Sequence, residues 1–164
     1  MLTGLNPYTT GGPLTALKPT TVNYFFLERG HVMEYFRLGS GEKRVVGLFF
    51  GPREFVLPSH TGFSCFQELD RVQTDRLPYR AVIRALRNYE GADERYREIQ
   101  RRYWRKVAER MIVLNSMTAE KRFAHLKATQ PWVLELAAEE DVANYLEVSV
   151  GMLRELKRGV SSLY

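Results

Sequence analysis

One cysteine in 164 residues, Cys65, is the first constraint on what this chain can be. A lone thiol cannot close an intrachain disulfide. Nor can it supply the several thiolates of a structural zinc site or an iron–sulfur cluster. A chain without disulfides fits a reducing compartment, so a cytoplasmic setting is expected. Histidine is nearly as scarce. His31 and Glu34 stand three apart on an extended stretch and point to opposite faces, while His60 falls in a loop and His125 on a distant helix. The tight His-x-His of a cupin site is missing, so no metal and no other cofactor is expected. Long apolar runs are missing too. No stretch approaches the roughly 18 apolar residues of a membrane span. The opening "MLTGLNPYTTGGPLTALKPTT" lacks the apolar core of a signal peptide, and no membrane partner is expected. There is no phosphate-cradling glycine loop, no Ser/His/Asp arrangement and no carboxylate pair with catalytic spacing. Cys65, in "FSCFQ", has no basic neighbour to activate it and reads as a packed thiol. No catalytic residue is assigned, and the chain is not expected to be an enzyme.

What is present points to a folded protein with a basic surplus in an informative place. Hydrophobic residues make up 45% and aromatic ones 12%, enough for a real core, and the net charge is +5. Residues 94 to 110 carry seven Arg/Lys against three Glu. Residues 138 to 158 carry three Arg/Lys against five Asp/Glu. The basic series Arg95, Arg97, Arg101, Arg102, Arg105, Lys106 and Arg110 reads as the solvated side of an amphipathic helix, paired with Glu94, Glu98 and Glu109.

Along the chain the order is β first, then all α. Residues 1 to 21 are rich in Gly, Pro and Thr and read as an extended arm or an irregular first strand. "VNYFFLERGHVMEYFRL" holds two strand-like runs broken at Arg29-Gly30, a hairpin signal. "GSGEKR" is a turn, "VVGLFF" a strand, Gly51-Pro52 another turn, and "FSCFQ" and a weaker stretch near Val72 continue the series. Short strands at this spacing predict a β-sandwich or roll. From Pro78 the pattern is helical. "YRAVIRALRNY" is short, and a long helix follows over 92–116, with Tyr96, Ile99, Tyr103, Val107, Met111 and Leu114 at steps of three or four. Trp104, Ala108 and Ile112 widen that stripe. Thr118 can cap the next helix, "AEKRFAHLKATQ", and Pro131 separates it from "EEDVANYLEVSVGMLRELKRG", two short helices around a break at Glu147-Val148-Ser149.

That order resembles the Crp/Fnr family of bacterial transcription regulators. "YFFLERGHVMEYF" looks like the family's strand, glycine turn, strand, and "GLFFGPREF" like the stretch that ends in a glycine–acid–phenylalanine turn. "TAEKRFAHL" is similar to the first helix after the dimer helix, and "DVANYLEVSVGMLRELKR" to the DNA-binding helix pair. The likeness covers residues 22 to 158. It implies an α+β chain: a cyclic-nucleotide-binding-like jelly roll with a short helix over 1–90, a dimerisation helix over 91–117, and a helix-turn-helix unit over 118–164. The 21 residues before Val22 are fewer than the family's usual opening helix and strands require.

The departures from the family sharpen the functional expectation. Nucleotide-binding members use a Gly-Glu turn and a downstream Arg-Ser or Arg-Thr. "REFVLPSHTGFSCFQEL" has neither, and Glu54 stands where the family has a turn-making acid. Burying an unpaired phosphate is costly, so no response to cyclic nucleotides is expected, and the effector is unknown. In the reader, Ser149 keeps the family's cap, but Val150 and Gly151 offer no bidentate group. Glu155 stands where a base-contacting Arg often lies, and Glu147 replaces a turn glycine at a cost of about 1 kcal/mol. The resemblance therefore implies DNA contacts by Ser149, Arg154, Lys157 and Arg158, mostly electrostatic, and a homodimer through Tyr96, Ile99, Tyr103, Val107, Met111 and Leu114. The other reading is a relative that does not bind DNA, a dimeric module for protein interaction or small-ligand sensing.

Overall fold

The structure, a computed structural model, describes residues 23–38, 43–57 and 64–159. The arm expected over residues 1 to 21, the turn at 39–42 and the loop holding His60 lie outside these residues. Six strands come first: β1 (Asn23–Arg29), β2 (Val32–Leu38), β3 (Lys43–Phe50), β4 (Glu54–Val56), β5 (Ser64–Glu68) and β6 (Gln73–Pro78). They form two antiparallel three-stranded sheets, ordered β4-β1-β6 and β3-β2-β5.

The chain does reverse at Arg29-Gly30, but β1 and β2 are not a hairpin pair. They part into different sheets, and the reversal is the corner between them. Gly30 has φ 86°, and a Cβ there would come within 2.7 Å of the Arg71 carbonyl oxygen and 2.8 Å of Asp70 Oδ1. Only glycine fits that corner. His31 locks it, with its backbone N–H donating to Asp70 Oδ1 at 2.6 Å and its ring Nδ1 lying 2.7 Å from Asp70 Oδ2.

Between the sheets, Phe25, Leu27, Val32, Leu48, Phe50, Val56 and Phe66 make the roll's core. The near-continuous apolar run of β3 has a structural cause, because sheet β3-β2-β5 is covered on both faces. A bulge sets the two faces: Met33 pairs with Phe49 and Tyr35 with Val46, so Gly47 and Leu48 together oppose Glu34. Across it, Leu48 and Phe50 serve the roll's core while Val46 and Phe49 turn to the helices.

The helices follow: α1 (Tyr79–Asn88), α2 (Ala92–Ser116), α3 (Ala119–Thr129), α4 (Val133–Leu136), α5 (Glu139–Leu146) and α6 (Val150–Arg158). α2, 25 residues and so roughly 37 Å long, has the bounds its periodicity predicts. Thr118 caps α3, accepting from the Lys121 N–H at 3.5 Å. The one-turn helix α4, after Pro131, was not expected from sequence. α2 lies along the roll, with Tyr103 stacked on Phe50 (6.5 Å, 8°) and the Tyr96 and Tyr24 hydroxyls 2.9 Å apart. Tyr103 also reaches the buried Glu34 carboxylate, at 3.5 Å from each oxygen. Burial first, and Glu34 second, push its phenol pKa up.

The C-terminal helices share a core with the roll. Met33, Tyr35, Val46 and Phe49 of the sheet pack with Leu126, Val133, Val142, Ala143, Leu146 and Leu153. Asn144 Oδ1 accepts from the Val46 N–H at 2.8 Å, satisfying a backbone donor on edge strand β3. Trp132 lies on the His31 ring at 4.2 Å, joining the same two units at the sheet corner.

Candidate nucleic-acid interface

Helices α5 and α6 are joined by three residues, Glu147 to Ser149. The turn is tight because Glu147 takes the left-handed conformation, φ 53° and ψ 50°, at the position where the sequence lacks a glycine. Its N–H and that of Val148 satisfy the carbonyls of Asn144 and Ala143. Ser149 then caps α6, its Oγ accepting from the Met152 N–H at 3.1 Å. Val142, Ala143 and Leu146 of α5 and Leu153 of α6 are buried and hold the pair together.

That packing fixes which face of α6 meets solvent. Gly151, Arg154, Glu155 and Arg158 are exposed and recur at the helical spacing of three and four. Val150, expected to face outward with Gly151 and Glu155, instead packs against the core. The apolar side chain at the start of the helix thus belongs to the fold, and the outer face begins with Gly151. A Cβ on Gly151 would meet only Ser149 Oγ, at 3.8 Å. The opening of α6 therefore presents bare backbone, with no side chain able to read a base edge.

The cations expected to contact DNA are present but engaged. Arg154 Nε donates to Glu139 Oε2 at 2.8 Å, and Lys157 Nζ donates to Glu139 Oε1 at 3.0 Å. Glu139 is the first residue of α5, so one carboxylate ties both cations to the opposite helix. The Arg154 hydrogen bond, then that of Lys157, hold its carboxyl below the usual carboxylate range. Arg158 donates to the Arg154 carbonyl at 3.2 Å, and Gly159 ends the helix with φ 73°. Sequence reasoning missed Glu139, although the acid run Glu139-Glu140-Asp141 had signalled a negative balance. Pairing across 15 and 18 residues has no local signature.

The six residues expected on a dimer seam are divided by the fold. Tyr103 and Val107 pack against the roll of their own chain, and Tyr96 bonds to Tyr24. Ile99 and Leu114 are half-buried, leaving Met111 open. The outward apolar residues are Trp104, Met111 and Ile112, at 59%, 53% and 61% exposure, with Ala108 between them. The stripe expected from the sequence as one surface has two sides, one spent on the roll and one free.

Near the roll's β3–β4 turn, Glu54 makes the contact of a turn-forming acid, accepting from the Gly51 N–H at 3.1 Å. It also takes a 2.6 Å ion pair from Lys106 of α2. Arg53 holds φ 65° there, with its N–H on the Leu27 carbonyl at 2.6 Å.

No family model matches this sequence, and no curated protein matches it significantly. Solved structures do. FixK2 from Bradyrhizobium japonicum aligns over 91% of this chain and 76% of its own, at 16% identity and TM-score 0.72. The fold is that of the Crp/Fnr regulators. A transcriptional regulator of the CRP family from Thermus thermophilus covers 93% of this chain and 84% of its own, at 15% identity and TM-score 0.63. CLP from Xanthomonas campestris, described as a c-di-GMP responsive global regulator, covers 85% and 77%, at 12% identity and TM-score 0.63. These Crp/Fnr-fold neighbours are regulators, and at such identities they establish architecture alone. No described helix is long and apolar enough to cross a membrane.

Proposed function

We propose that the chain is a Crp/Fnr-type transcription regulator of the cytoplasm whose α5–α6 pair is a helix-turn-helix. The observation that carries this reading is the outer face of α6. A Ser-capped helix on a tight left-handed turn projects Arg154 and Arg158 to solvent, with Lys157 beside them. Gly151 and Glu155 offer little base readout on that face, so affinity rests on phosphate contacts by Ser149, Arg154, Lys157 and Arg158. The regulator acts as a homodimer through the free side of α2, Trp104, Ala108, Met111 and Ile112. It does not respond to cyclic AMP or cyclic GMP. DNA binding measured by fluorescence anisotropy, with an Arg154→Ala, Arg158→Ala double variant as control, tests this reading. The wild type binds duplex DNA at low salt and the variant loses most of that affinity. Unchanged binding by the variant would place the DNA contact elsewhere.

A second reading, a dimeric relative that does not bind DNA, draws on the Glu139 clamp. A carboxylate that already satisfies two reader cations competes with phosphate for them. The same titration separates the readings, since this one expects no DNA binding at any salt.

A further inference from the structure

A cleft of about 320 Å3 opens where β3, α2, α3 and α5 meet, away from the outer face of α6. One part of its wall is aliphatic, made by Leu48, Val113, Leu114, Leu126 and Leu146, and the rest is largely polar. Two arginines, Arg110 and Arg122, line it, and among the described residues neither forms an ion pair. Arg110 lies over the Tyr145 ring at 4.2 Å and donates to the Tyr145 carbonyl at 3.2 Å. Arg122 donates through Nη1 to the Leu114 carbonyl at 3.3 Å, while its buried Nε meets no partner within the protein. Native interiors rarely leave a buried donor unpaired.

The charge balance of the cleft selects the ligand. Lys106 is committed to Glu54, and Glu109 is the one carboxylate in the wall among the described residues, at its exposed lip. Glu147 and Glu120 act on Arg110 and Arg122 from outside the wall, so within the cleft itself the two guanidinium groups face one carboxylate. Burial is also the main influence lowering the Arg110 pKa. At roughly 30 Å3 per water-sized unit, the volume suits a ligand of about ten heavy atoms.

We propose that this cleft binds a small aliphatic monocarboxylate, its carboxylate on Arg122 and Arg110 and its hydrocarbon chain along Leu48, Val113, Leu126 and Leu146. The ligand would touch the roll, the long helix and the supporting helix α5 together. The site is separate from the DNA-contacting face, and its test needs no DNA.

The test is calorimetric titration of the full chain with hexanoate, with hexanamide as the neutral isostere and inorganic phosphate as the bare anion. Hexanoate is expected to bind saturably, with hexanamide and phosphate each weaker by about tenfold or more. An Arg122→Gln variant with an unchanged circular dichroism spectrum is expected to lose hexanoate binding by a similar factor. If that variant fails to fold, the comparison of the three ligands on the wild type decides alone. Absence of hexanoate binding to the wild type at about 10 mM overturns the proposal. So does equal binding of hexanamide, which would mark a merely apolar cavity, or of phosphate, which would mark a merely cationic one. Undiminished binding by folded Arg122→Gln also overturns it.

Discussion

Arg154 Nε donates a 2.8 Å hydrogen bond to Glu139 Oε2, joining α6 to the first residue of α5. With Lys157 on the other oxygen of the same carboxylate, these exposed cations of α6 carry an internal counterion. Any phosphate that engages them must displace it. Glu139→Gln should therefore raise DNA affinity, by about three- to tenfold at low salt, and steepen its salt dependence. Anisotropy titrations of the two proteins check this. Equal or weaker binding by Glu139→Gln would show that the clamp orients the cations and does not compete for them.

The same contact has a pH signature. The hydrogen bonds from Arg154 and Lys157 set Glu139 lower in the folded chain than in the unfolded one. The stability it contributes is thus complete above the unfolded value, ~4.3, and is lost as pH falls through the folded value. Between about pH 6 and pH 8 the clamp stays ionised. Wild type and Glu139→Gln should then show the same pH dependence of melting across that range and diverge in acid.

Glu147 at φ 53° is a strained L-residue in a turn that glycine fits better. Glu147→Gly should stabilise the chain by about 0.5–1 kcal/mol, the relief of a left-handed conformation less the entropy of a freer unfolded state. In a melting experiment that corresponds to a rise of roughly 1–4 °C. A drop would mean that Glu147 makes a compensating contact.

Asn144→Ala removes the acceptor for the Val46 N–H on edge strand β3. An unmatched backbone donor at that junction should cost about 1–3 kcal/mol in denaturant unfolding. A cost well below that range would show that water replaces the side chain.

Ile112 is exposed on α2 and touches neither core cluster. Ile112→Glu should leave the protomer's fold intact but split a dimer, since the two charges would face each other across the two-fold seam. Light scattering should give about twice 19.1 kDa for the wild type and 19.1 kDa for the variant. A wild-type monomer at micromolar concentration would remove the α2 seam from the account.

Sequence was a good guide wherever the signal was local. The bounds of α2 were legible because Gly91 precedes it and the Thr118 cap follows closely, and the turn at Glu147 because the break in helical pattern is abrupt. The partnership of β1 and β2 was not, since Arg29-Gly30 marks a reversal and says nothing of which sheet each strand enters. The double-sided stripe of α2 had the same ambiguity: periodicity identifies an apolar surface but does not apportion it between roll and partner. Val150, Glu139 and the cleft at Arg122 depend on how α3 to α6 dock on the sheet. No short window of sequence encodes that docking.

On the proposed reading, α6 meets DNA through charge and with little sequence selectivity. The most direct test of that reading is the affinity for two unrelated duplexes as a function of salt, with both labelled and measured under the same conditions. Three cations per reader give an expected log–log slope of about −3 for each protomer engaged, with the two duplexes bound almost equally at every salt concentration. A nanomolar complex with one duplex that persists at physiological salt while the other is ignored would contradict the account, as would no binding to either at low salt.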